Sequence, residues 1–163
     1  MGSKKITYLS LLTTIALIIF VIELRIPNIV PIYGVKLGLA NIVTVYAMYH
    51  CSCKETFMVV FVRVFLGSLF GGNVSALIYS FAGAMFCLVG MMLLKRFFDE
   101  KHIWICSVIG AVLHNIGQIL AAIIVMRTTS VVYYLPFLLV SGCIAGAFTG
   151  ITAQFLINRS RRK

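Results

Sequence analysis

The chain has 163 residues, of which 61% are apolar and only 11% charged, with a mean hydropathy of +1.06 and a formal net charge of +10. Soluble domains run near half apolar and a quarter charged. A soluble domain of this length could not hide so much apolar surface, which excludes that class and assigns most of the chain to lipid.

A membrane span needs about 20 mostly apolar residues. Six segments qualify in chain order: 6–24, 32–50, 56–70, 74–94, 103–126 and 131–157. The expectation is an all-α membrane protein, a six-transmembrane-helix bundle forming a single integral membrane domain over 1–163. In the first segment, Lys4 and Lys5 before an apolar run imitate a cleaved leader. No small-residue cleavage site follows, only ELRIPNIVP, so the segment reads as a helix.

The connection RIPNIVPIYGV, 25–35, holds Pro27, Pro31 and Gly34, a density that makes a shaped, non-helical loop. It is either the cap of a pocket or a plain connector. In the second span Lys36 lies at the outer surface, and Asn41 sits about 7 Å deeper at 1.5 Å per residue. The second and third spans are short, and Arg63 interrupts the third. Broken or re-entrant segments are the alternative there, a backbone form that survives at membrane depth only inside protein or beside a wet cavity. Arg63 costs roughly 2.5–3.5 kcal/mol to insert, so it requires compensation, and Glu23 near the outer end of the first span is the partner at hand. His50, Cys51 and Cys53 form a cluster with no second ligand pair at zinc-site spacing, so no metal site is expected. Cys87, Cys106 and Cys143 read as small apolar residues within spans.

The fifth span contains GAVLHNIGQILAAIIV, 110–125. Gly110, His114 and Gln118 recur at four, and Asn115 lies three before Gln118, which places them on one side of the helix. Such groups face a bundle interior or a wet cavity; the alternative is a set of interhelical clasps, about 0.6 kcal/mol each. The charge of Arg63 is more than packing needs and favours the cavity. In the sixth span Gly142, Gly146 and Gly150, with Ser141, Ala145, Thr149 and Ala153 one position earlier, form a smooth face for close helix approach, read as packing within the bundle.

With six spans, Lys4, Lys5, Lys54, Lys95, Arg96, Lys101, Arg159, Arg161, Arg162 and Lys163 fall on one side, against Arg25, Lys36 and Arg127 on the other. Cytoplasmic loops accumulate Lys and Arg, so both termini are placed in the cytoplasm of a bacterial plasma membrane. The charge is topological; scattered over short loops, it offers no basic face for nucleic acid. The tail RSRRK reads as a retention charge after the last span, within reach of anionic lipid heads.

No Walker loop, GxSxG, HExxH or aspartate-rich motif is present. The four acidic residues, Glu23, Glu55, Asp99 and Glu100, do not supply the convergent carboxylates that metal-assisted chemistry on diphosphates requires. The chain is therefore not expected to be an enzyme by itself, and no cofactor is expected.

The stretches KLGLANIVTVYAM (36–48), RVFLGSLFGG (63–72), LHNIGQ (113–118) and YYLPFLLVSGCIAGAFTG (133–150) resemble small bacterial membrane proteins known as heptaprenyl diphosphate synthase component I, or the Gx transporter family. That family is similar in turn to the substrate-binding S components of energy-coupling factor (ECF) transporters. The likeness implies an S-component-like bundle with an extracellular pocket under the first outer loop, served by a membrane coupling protein and two cytoplasmic ATPase subunits. The AxxxA-type surface many S components carry in their first helix is reduced here to Ser10 and Thr14 in SLLTTIALIIF.

Two functions follow. The first is a substrate-capture subunit of an uptake system for an amphipathic or anionic small molecule, of prenyl, quinone-related or vitamin-like type. Lys36 and Arg63 attract the acidic part, while Asn41, His114, Asn115 and Gln118 orient it. The second is a non-catalytic membrane partner of a heptaprenyl diphosphate synthase in menaquinone biosynthesis.

Overall fold

The computed structural model describes residues 2–23, 25, 38–71, 74–98 and 102–160. Within them the chain is helical: α1 (Ser3–Glu23), α2 (Asn41–His50), α3 (Cys53–Gly71), α4 (Val74–Leu94), α5 (Ile103–Met126), a 3₁₀ turn (Ser130–Tyr134) and α6 (Leu135–Ser160). Among the described residues four helical stretches are long and apolar enough to cross a membrane: Ser3–Glu23, Leu77–Leu94, Ile103–Met126 and Ser130–Ser160.

Of the second expected span, 32–50, residues 32–37 lie outside the described residues. Its helix begins only at Asn41 and holds 10 residues, about 15 Å at 1.5 Å per residue, half a hydrocarbon core. The cause is Gly38, whose φ of +78° is left-handed and cannot continue a right-handed helix toward the N-terminus. The first turn forms beyond it, with Asn41 N–H donating to the Gly38 carbonyl at 2.9 Å. Helix α3 has length enough at 19 residues, but every 18-residue stretch of it carries Lys54, Glu55 and Arg63. It starts ahead of Thr56 because the Ser52 N–H donates to Glu55 Oε2 at 3.0 Å, half of a capping box. Pro136 sits in the first turn of α6, where its missing N–H costs nothing.

Large apolar side chains cover much of the surface, and polar side chains lie buried beside an apolar core. Phe57, Phe61, Phe65 and Leu69 make an exposed stripe along α3 at four-residue spacing, and Phe137, Ile144, Phe148 and Phe155 are exposed on α6. Glu23, Asn41, Thr44, Thr56, Arg63, Ser107, His114, Asn115, Gln118 and Thr149 are buried.

Of the four long apolar stretches the one in α5 is the most buried, and it packs along both α4 and α6, while α1 lies against α3 and α2 against α6. The α5–α6 contact uses the small-residue face. A methyl at Gly146 would lie 2.8 Å from the Val108 Cα, and one at Gly150 would lie 2.7 Å from the Trp104 Cα. Ser107 and Thr149 share a hydroxyl–hydroxyl hydrogen bond of 3.1 Å across this seam. Close approach of backbones, helped by one polar clasp, is how membrane helices associate where lipid removes the hydrophobic driving force.

Candidate functional site

Five elements converge on one small cavity. Its lining includes Phe20 and Glu23 from the end of α1, Gly38 and Ala40 from the turn before α2, Arg63 and Val64 from α3, Ser80 from α4, and His114 and Gln118 from α5. Its volume is about 20 Å³, room for one water molecule.

Each wall has a local cause. On α5, His114 and Gln118 are one turn apart and so project the same way. Opposite them, Gly83 of α4 leaves the space they occupy: a methyl there would lie 2.8 Å from Gln118 Cγ and 3.0 Å from His114 Cε1. Gly38 roofs the cavity. A methyl on it would lie 3.0 Å from Asn41 Nδ2 and 3.6 Å from the His114 ring, and its N–H donates to Glu23 Oε1 at 2.6 Å. Arg63 enters from α3 and donates through Nη2 to Asn41 Oδ1 at 3.5 Å, the long limit of a hydrogen bond.

Two oppositely charged side chains, Arg63 and Glu23, line the cavity and act on one another. A buried charge persists only when it is paired and hydrogen-bonded. Arg63 Nε, His114 Nδ1 and Gln118 Oε1 are buried and have no hydrogen-bond partner among the described residues. In a native interior most such atoms are satisfied. Three of them on residues that share one cavity give it the capacity to hold a small polar group: a fixed guanidinium donor, an imidazole nitrogen able to donate or accept, and an amide.

Of the six residues picked from sequence, Arg63, His114 and Gln118 line the cavity, and Asn41 stands beside it as the acceptor for Arg63. Lys36 lies outside the described residues. Asn115 goes elsewhere: its Nδ2 donates to the Leu138 carbonyl of α6 at 2.5 Å, and it packs against Gly142. The single polar side expected for α5 is thus two sides. Consecutive residues lie 100° apart on a helix, so His114 and Gln118 face α4 while Ser107, Ala111 and Asn115 face α6. Gly38, Ser80 and Gly83 were not singled out. Their only signal is small size within an apolar run. The His50–Cys51–Cys53 cluster disperses, with the His50 ring stacked on Tyr46 at 4.3 Å. Among the described residues no three metal-ligating side chains stand together.

Residues 12–156 match the family model for heptaprenyl diphosphate synthase component I. The chain belongs to that family. No curated protein and no solved structure matches it. Heptaprenyl diphosphate synthase component I is a non-catalytic component, consistent with a chain that is not an enzyme by itself. The family name implies a partner synthase component and association with a membrane, and the four long apolar helices agree with the second.

Proposed function

We propose that this component I protein is a membrane-embedded substrate-binding subunit, S-component-like, of an ECF-type uptake transporter in the bacterial plasma membrane. Its six helices form the bundle with both termini in the cytoplasm, α2 being a half-length member. The ligand is an amphipathic or anionic small molecule of prenyl, quinone-related or vitamin-like type. A membrane coupling protein and cytoplasmic ATPase subunits would supply the energy.

The observation that carries this reading is the convergence of Arg63, His114 and Gln118, each with a buried polar atom that has no partner among the described residues, on a cavity that Gly38 also lines. Intramembrane ionisable groups mark ligand pathways more often than packing. Arg63 would take the acidic part of the ligand in exchange for Glu23. Asn41, His114 and Gln118 would orient the ligand, with Lys36 attracting it from the outer surface. A cavity of about 20 Å³ admits nothing larger than water, so entry of a ligand requires the Gly38 turn to lift.

The test is thermal stabilisation of the purified protein by farnesyl diphosphate, menadione and thiamine, each measured also on Arg63→Gln. A rise in Tm with one of them, lost in the variant, supports the reading. No rise with any, together with no co-purifying coupling subunit, defeats it.

The family match favours a second reading: a membrane partner of a heptaprenyl diphosphate synthase, presenting the cytoplasmic turn after α4 and the basic tail. Recovery of a soluble prenyltransferase on the tagged chain, lost when residues 159–163 are deleted, separates this from the first.

A further inference from the structure

A second cavity lies on the outside of the bundle, in a groove between α1, α2 and α6. It measures about 530 Å³, well inside the roughly 300–1,000 Å³ range of small-molecule sites. Its polar groups collect at one end. Tyr8 and Tyr46 meet there through their hydroxyls at 3.4 Å, and Arg159 and Ser160 close the same end from the last turn of α6. Beyond them the walls are apolar, with Leu12, Ile15 and Ile19 in succession along α1. Among the described residues no acidic side chain lines the groove. From Tyr8 to Ile19 it runs about 16 Å at 1.5 Å per residue, the depth of one leaflet of a hydrocarbon core about 30 Å thick.

We infer that this groove is a binding site for an anionic glycerophospholipid of the leaflet nearest the chain's basic tail, one acyl chain lying along α1 and the phosphate held by Arg159 and the paired tyrosines. Charge decides the occupant. Arg159 is exposed and is the one charged side chain among the described residues that line the groove, so the polar end carries a net positive charge. A zwitterionic lipid fills the apolar part equally well but gains less at the head. The molecule carries its own control. A groove of about 510 Å³ between α1 and α3, lined by Ser10, Thr13, Leu17 and Met58 among others, has similar size and no basic residue in its lining. An apolar groove alone predicts equal filling of the two, whereas a phosphate site predicts selection.

The experiment reconstitutes the full chain in phosphatidylcholine nanodiscs doped with phosphatidylglycerol carrying a photoactivatable acyl chain, and maps the cross-links by mass spectrometry. Labels should concentrate on α1 and α6 facing the first groove and be sparse in the α1–α3 groove. Arg159→Gln should reduce labelling about fivefold, the worth of one basic side chain at an anionic surface, and Arg159→Lys should restore it. Ile15→Trp, which fills the groove, should abolish labelling; the two exposed Arg159 variants decide the matter if that one does not fold. Equal labelling by the phosphatidylcholine analogue, equal labelling of both grooves, or no change in Arg159→Gln would overturn the proposal. So would a dimeric chain that excludes label from the groove.

Discussion

Gly38 and Glu23, fifteen residues apart, are joined by a hydrogen bond in which the Gly38 N–H donates to Glu23 Oε1 at 2.6 Å. The bond ties the end of α1 to the turn that opens α2. A carboxylate accepting a backbone N–H makes a strong, charge-assisted bond, and the same carboxylate lines the cavity that Arg63 enters. One side chain thus holds the roof and balances the charge beneath it. The roof is the only backbone of the site in a left-handed conformation.

Gly38→Ala tests the roof. An L side chain in the left-handed region costs about 1–2 kcal/mol, and the added methyl would sit 3.0 Å from Asn41 Nδ2. Thermal unfolding in detergent should show a drop in Tm, and Gly38→Asn should recover part of it because Asn tolerates this region.

Glu23→Gln and Arg63→Met test the charge pair by a double-mutant cycle. Either single change removes the opposite charge that shares the cavity, and the Tm should fall. The double variant should be more stable than the sum of the two singles allows. Strict additivity of the two Tm changes would show that the pair is not coupled.

Asn115→Ala separates the clasp from the cavity. Losing the bond to the Leu138 carbonyl should cost about 0.6–1.7 kcal/mol, the range found for single interhelical hydrogen bonds. Ligand binding, read as the thermal shift, should persist, because Asn115 does not line the cavity. Loss of the shift with unchanged stability would contradict that division.

Glu55→Gln tests the end of α3. Gln keeps the bond from the Ser52 N–H, as capping boxes accept either residue, but removes the ion pair with Lys5. The Lys5 ammonium, and next the Ser52 N–H, hold the Glu55 carboxyl below its ordinary value. A depressed carboxylate contributes stability that is complete above the unfolded pKa, about 4.3, and is lost as pH falls through the folded value. The Tm difference between wild type and variant should therefore be flat from neutral pH down to that point and vanish below it. It should also shrink in high salt, since Lys5 is half exposed.

Much of the site was legible from residue chemistry. Arg63, His114 and Gln118 are expensive in lipid, so each had to face inward, and the four-residue spacing of the last two put them on one face. Asn115 misled because a helix surrounded by neighbours has more than one inward face. Spacing alone does not say which neighbour lies on which side. Gly38 was read as part of a span because glycine in an apolar run gives no sign of its φ. Its effect on α2 appears only once Asn41 is seen to open the helix. Glu23 and Arg63 come to line one cavity because α1 lies along α3.

The linear order of residues determined the class of this protein. With 61% apolar residues, the chain can satisfy its backbone in lipid only as helices or a closed barrel, and continuous apolar runs of about 20 residues select helices and set where most of them run. Which polar groups meet was decided by packing. The small faces of α4 and α6 allow α5 to approach both, and those contacts rotate His114 and Gln118 toward Arg63 while turning Asn115 away. A side chain's direction depends on the neighbours that pin its helix, and those come from distant parts of the chain.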